Sequence, residues 1–79
     1  MPDIEVFTGP GCGYCGAAKA LPQARKLPFR ERDISDPAVL AEFKERLPRV
    51  RAIPQIYAEG EHVGGLEDLQ LRLGDSKPS

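Results

Sequence analysis

Cys12-Gly13-Tyr14-Cys15 constrains this chain more than any other stretch, since it holds the only two cysteines of the protein. One helical turn at that spacing brings both sulfurs to the same corner. The apolar run Ile4-Glu5-Val6-Phe7-Thr8 before it reads as a strand, and Ala17-Ala18-Lys19-Ala20-Leu21 after it reads as helix. A Cys-x-x-Cys set between strand and helix is the sequence form of a dithiol redox site. The pattern places Cys12 at the helix N-terminus, where unpaired backbone N–H groups and the positive end of the helix dipole favour an anion. The thiolate is the reactive form of cysteine, so this corner is where chemistry is expected.

Size and charge exclude several alternatives. The 79 residues form one domain, 1–79, near the lower limit at which a hydrophobic core suffices alone. A net charge of −1 makes no electrostatic case for nucleic acid or an anionic membrane as partner. Two cysteines cannot build the disulfide scaffold of a small secreted domain. Met1-Pro2-Asp3 does not open a basic segment followed by a long apolar one, so no signal peptide is expected, and nothing approaches a membrane span. The expectation is a cytoplasmic protein, where a retained thiol pair serves catalysis or metal binding rather than structure. Structural zinc needs four ligands, and only His62 remains as another soft donor, so zinc is set aside.

In chain order, Asp3–Thr8 reads as a strand covered on both faces, and Gly9-Pro10-Gly11 as the turn before Cys12. A helix is expected from Tyr14 to about Lys26, kinked or interrupted at Pro22, where proline removes a hydrogen bond. Phe29–Ile34 alternates as a strand. Asp36-Pro37 marks a second helix start, with Asp36 as N-cap. Val39, Leu40, Phe43 and Leu47 share one face, Glu42 and Arg46 pair on the other, and Pro48 ends the helix. Ile53–Ala58 is a third strand, Glu59-Gly60-Glu61 a hairpin turn, His62-Val63 a short fourth strand and Leu66–Leu73 a last helix. Residues 74–79 read as a frayed tail. Tyr57, Phe7, Phe29 and Phe43 read as core, His62 as an exposed strand residue, and Tyr14 as a ring with little core to join.

The order β-α-β-α-β-β-α suits an α/β protein whose four-stranded mixed sheet is flanked by three helices on its two faces, in a thioredoxin-like arrangement. Here the chain resembles the small dithiol glutaredoxins. The resemblance rests on Thr8…Cys12-Gly13-Tyr14-Cys15…Ala18-Lys19-Ala20-Leu21, then Ile53-Pro54-Gln55-Ile56-Tyr57, then Gly60…His62-Val63-Gly64-Gly65-Leu66-Glu67-Asp68-Leu69. The three motifs stand in order, at the family's spacing, over about Ile4 to Leu71. The resemblance implies a glutathione-dependent thiol–disulfide oxidoreductase, with Cys12 as nucleophile and Cys15 as resolving thiol. Its substrates would be disulfide-bonded or glutathionylated proteins. The resemblance also implies a glutathione groove flanked by Tyr14. In it Ile53 offers backbone groups beside a cis Pro54, and Gly64 and Gly65 allow close approach. Leu66 and Glu67 N–H groups would meet the γ-glutamyl carboxylate, and Asp68 its ammonium.

The chain departs from the family at three places. Many relatives carry lysine where Gly9 stands, threonine where Ala52 stands, and arginine near Leu40, groups that help hold the glycine carboxylate of glutathione. Arg51, ahead of Arg49, is the remaining cation for that role. Gly13 occupies a position where dithiol glutaredoxins commonly have proline. Glycine there occurs in relatives that bind a [2Fe–2S] cluster between two protomers, with Cys12-type thiolates and glutathione as ligands. That gives a second reading as a cluster carrier; without a cluster the protein is expected to be a monomer.

Overall fold

The computed structural model describes residues 3–73, so the expected tail at 74–79 lies outside the described residues. The elements are β1 (Ile4–Thr8), α1 (Cys15–Ala24), β2 (Phe29–Asp33), α2 (Pro37–Arg46), β3 (Gln55–Ala58), β4 (Glu61–Gly64) and α3 (Leu66–Arg72). The four strands form one mixed sheet in the order β2-β1-β3-β4. β1 runs parallel to β2 and antiparallel to β3, and β3 and β4 form an antiparallel hairpin. This is the thioredoxin-like fold that the sequence pattern implies.

All five residues of β1 are buried, as a strand with layers on both faces requires. Alternation sends Ile4 and Val6 to one face, where they pack with Ala18 of α1, Ile56 and Leu69 of α3. Phe7 points to the other face and packs with Phe43 of α2 and Tyr57. Phe7 meets both rings, at centroid distances of 5.3 and 6.0 Å. Two small cores thus sandwich the sheet, and the C-terminal end of β1 delivers the chain into the cysteine turn between them. Phe29 joins the first core as a partly buried residue.

Several boundaries differ from the sequence reading. α1 is not interrupted at Pro22, which is buried within it, but stops two residues later at Ala24. Beyond it Lys26 takes the left-handed conformation, with φ 57°. The Lys26 N–H then donates to the Gln23 carbonyl and the Leu27 N–H to the Pro22 carbonyl, at 3.0 and 2.8 Å. This pair of bonds closes the helix end and satisfies carbonyls that would otherwise be orphaned. α2 begins as expected: the Asp36 side chain accepts from the Ala38 N–H at 2.9 Å, with Pro37 as first helical residue. Glu42 and Arg46 pair across one turn at 2.5 Å. β3 starts at Gln55 rather than Ile53, because proline has no N–H for the ladder. Among the described residues no helix is long and apolar enough to cross a membrane.

Candidate active site

Cys12 and Cys15 are joined in a disulfide, with Cα atoms 5.5 Å apart. α1 begins at Cys15, with Tyr14 as N-cap, so Cys12 lies two residues before the cap rather than at the helix terminus itself. The reason is local: Gly13 and Tyr14 form a turn, and the first helical bond runs from the Ala18 N–H to the Tyr14 carbonyl at 3.0 Å, so the ladder begins after Cys12. The two sulfurs differ in access. Cys15 is only 5% exposed, whereas Cys12 is half-buried.

Beside the cysteine turn runs a groove of about 550 Å³. Tyr14 forms one bank, the segment Ala52-Ile53-Pro54-Gln55 a second, and Gly65, Leu66, Glu67, Asp68 and Gln70 the third. The structure therefore gathers Tyr14, Ile53, Pro54, Gly65, Leu66, Glu67 and Asp68 around one cleft. They come from three elements and loops far apart in the chain. Arg51 is exposed and stands outside the lining, one residue before Ala52. The Ile53–Pro54 peptide bond is cis, as the family resemblance implies. Tyr14 is 68% exposed, a ring that the core has not claimed.

The glycines around the groove have different reasons to be there. Gly64 has φ 124°, and a Cβ on it would fall on the Asp68 carboxyl group. That carboxylate folds back because its Oδ2 accepts from the Gly65 N–H at 3.1 Å, capping α3. At Gly65 itself a Cβ would stand 3.7 Å from the Pro54 carbonyl oxygen, an ordinary contact. The close approach expected of both glycines is thus a requirement at Gly64 only. Gly9, where relatives carry lysine, is packed shut: a Cβ would come within 2.8 Å of Ile53 Cδ1 and 3.0 Å of Ile34 Cγ1.

Two lining residues were not singled out as groove residues by the sequence: Gln55 and Gln70. Gln70 follows Leu66 and Glu67 at helical spacing, a signal that could have found it. Gln55 is a polar residue in an otherwise apolar strand, and its amide bonds Ala52 at one end and His62 at the other. Nearer the turn, Glu31 accepts from the Thr8 hydroxyl at 2.8 Å and from Lys19 at 3.1 Å. The Thr8 hydrogen bond, followed by Lys19, holds the Glu31 carboxyl below the usual carboxylate range. It ties α1 to the end of β1, the two elements that flank the cysteines.

No group of three or more His, Cys, Asp or Glu side chains is placed to hold a metal among the described residues. With the two sulfurs joined to each other, the cluster-carrier reading gains no support within one chain.

Comparison with known proteins converges on one family. The Glutaredoxin family model matches residues 4–63. Glutaredoxin 3 of Escherichia coli K12 is 33% identical over 69 residues, covering 87% of this chain and 83% of its own. The solution structure of a glutaredoxin from Brucella melitensis superposes with a TM-score of 0.71 at 41% identity, covering 95% of this chain and 82% of its own. A buckwheat glutaredoxin–glutathione complex shares the fold with a TM-score of 0.71 at 23% identity, covering 91% of this chain and 70% of its own. A Cys12–Cys15 pair on this fold, in this sequence context, is that of a thiol–disulfide oxidoreductase, and the chain belongs to the glutaredoxin family.

Proposed function

We propose that this protein is a glutathione-disulfide oxidoreductase that reduces protein disulfides and glutathione mixed disulfides. The observation that carries the reading is the groove of Tyr14, Ile53, Pro54, Gly65 and Leu66 lying beside a redox-competent cysteine pair of unequal exposure. It is supported by the structural likeness to a glutaredoxin captured with glutathione. The Ile53 backbone offers N–H and C=O groups to the cysteine part of the tripeptide, as an added short strand would. Asp68 keeps its second carboxylate oxygen for the γ-glutamyl ammonium, and Arg51, exposed one residue before the groove-lining Ala52, is the cation for the glycine carboxylate.

Access divides the labour of the sulfurs. In the reduced enzyme the more exposed Cys12 thiolate attacks the glutathionyl sulfur of a mixed disulfide; the S–S bond breaks and the target leaves as its thiolate. A glutathione thiolate then attacks the same sulfur, releasing oxidised glutathione and regenerating Cys12. With a protein disulfide, Cys12 first forms a mixed disulfide with one substrate sulfur. Cys15 then attacks Cys12, expels the second substrate thiolate and leaves the intramolecular disulfide. Two glutathione molecules return it to the dithiol, and they supply both electrons. A glutathione-coupled assay on a small glutathione mixed disulfide tests the proposal. Saturable turnover is expected, and its absence, in a protein that still reduces insulin disulfides with dithiothreitol, would refute glutathione dependence.

A further inference from the structure

We infer that Gln55 is a positioning residue for the Ala52–Pro54 bank of the groove, and that His62 holds it in that role; this rests on the glutathione reading above. Gln55 opens β3 opposite Phe7 of β1 and is only 9% exposed. An amide there costs free energy unless both its ends are satisfied, and here both are. Its Nε2 donates to the Ala52 carbonyl at 3.1 Å, and its Oε1 lies 2.9 Å from His62 Nε2. The first bond closes a ring around Ile53 and Pro54, two residues that line the groove. The segment precedes the sheet ladder, which begins at Gln55, so the side-chain bond supplies a tie that the ladder does not.

The Ala52 carbonyl can only accept. The amide nitrogen must therefore face it, the amide oxygen faces His62, and His62 carries its proton on Nε2. An amide turned the other way would set two acceptors against each other at Ala52, whatever tautomer His62 took. His62 is itself oriented: its ring rests on the Tyr57 ring at a centroid distance of 5.2 Å, and Tyr57 is buried beneath the Arg46 guanidinium. The chain of support runs from the core, through Tyr57 and His62, to Gln55 and the groove bank. Gln55 acts through Ala52, and His62 only through Gln55.

The test measures kcat and the KM for glutathione with a small glutathione mixed disulfide, on the full chain, for wild type, Gln55→Met, His62→Phe and the double variant. Gln55→Met keeps the length and removes both polar ends; His62→Phe keeps the ring on Tyr57 and removes the N–H. Gln55→Met should raise KM about five- to tenfold, the worth of one neutral hydrogen bond, with kcat within about twofold. His62→Phe should raise KM about two- to threefold, and the double variant should be no worse than Gln55→Met, since partners in one network do not add. A lowered melting temperature with unchanged KM would reduce Gln55 to a core residue and overturn the inference. Additive effects in the double variant would overturn the relay through His62. If Gln55→Met does not fold, His62→Phe at its exposed strand position decides alone, and an unchanged KM overturns the inference. Wild type without glutathione turnover defeats the parent reading and this inference together; normal wild-type turnover with unaffected variants defeats this inference alone.

Discussion

At the scale of single residues, the site divides into groups that react and groups that shape. Cys12→Ser removes the sulfur that every exchange step passes through, so turnover should fall to background with any disulfide. Cys15→Ser leaves the more accessible sulfur in place; it should keep deglutathionylation and lose reduction of protein disulfides, read as the two activities assayed side by side. The paired glycines, alike in the sequence, should separate. Gly64→Ala puts a Cβ on the Asp68 carboxyl in a backbone conformation that L residues avoid, and should cost about 1–3 kcal/mol of stability in a denaturant melt. Gly65→Ala should leave stability nearly unchanged and raise the KM for glutathione, because its methyl group projects toward the Pro54 carbonyl across the groove. Most of the groove was legible because its residues sit in three motifs. The glycine distinction was not, because it turns on a backbone angle and on where the Asp68 carboxylate folds back.

At the scale of elements, local signals were read correctly wherever one residue type has one physical reason to be there. Asp36-Pro37 fixes the start of α2 through a capping bond and a missing N–H. Pro22 does not interrupt α1, because two residues from the helix end its missing N–H removes just one ladder bond, the one to the Ala18 carbonyl, while its own carbonyl accepts from Leu27 in the closing turn. Lys26 gave no stop signal, since glycine or asparagine usually fills that left-handed position. That mismatch yields a prediction. Relief of a left-handed lysine is worth about 1–2 kcal/mol, against about 0.5–1 kcal/mol of extra chain entropy for glycine in the unfolded state. Lys26→Gly should therefore stabilise the protein by about 0.5–1 kcal/mol in urea unfolding, with activity unchanged. A destabilised variant would show that the Lys26 side chain makes contacts worth more than its backbone strain.

At the scale of the whole molecule, the feature least visible in the sequence is an ion network under α2. Glu5 lies in the middle layer with its side chain 8% exposed, and accepts hydrogen bonds from Arg30, Arg32 and Arg46. These partners stand 25, 27 and 41 residues away, so no periodicity could pair them. Arg46 also bonds Glu42 and lies over the Phe7 and Tyr57 rings, which makes one guanidinium the rivet between α2 and the sheet. Burial alone would raise the Glu5 carboxyl; the Arg46, Arg32 and Arg30 guanidinium groups outweigh it and hold it below its ordinary value. Glu31 is lowered as well, by Thr8 and then Lys19, and Asp33 by the Ser35 N–H. A carboxyl lowered in the folded state stabilises fully above its unfolded value and loses that contribution as pH falls through the folded one. The melting temperature should therefore be level from pH 7 to about 5 and drop below about pH 4, the ordinary carboxylate range. Glu5→Gln should lose about 2 kcal/mol at neutral pH, the scale of a charge-assisted bond in a partly solvated network. Below the folded value wild-type Glu5 is itself neutral, so the two melting curves should converge as pH falls through that value. A gap that stays constant across the whole range would mean that Glu5 acts by shape rather than by charge, and that α2 is held by Phe43 and its apolar neighbours alone.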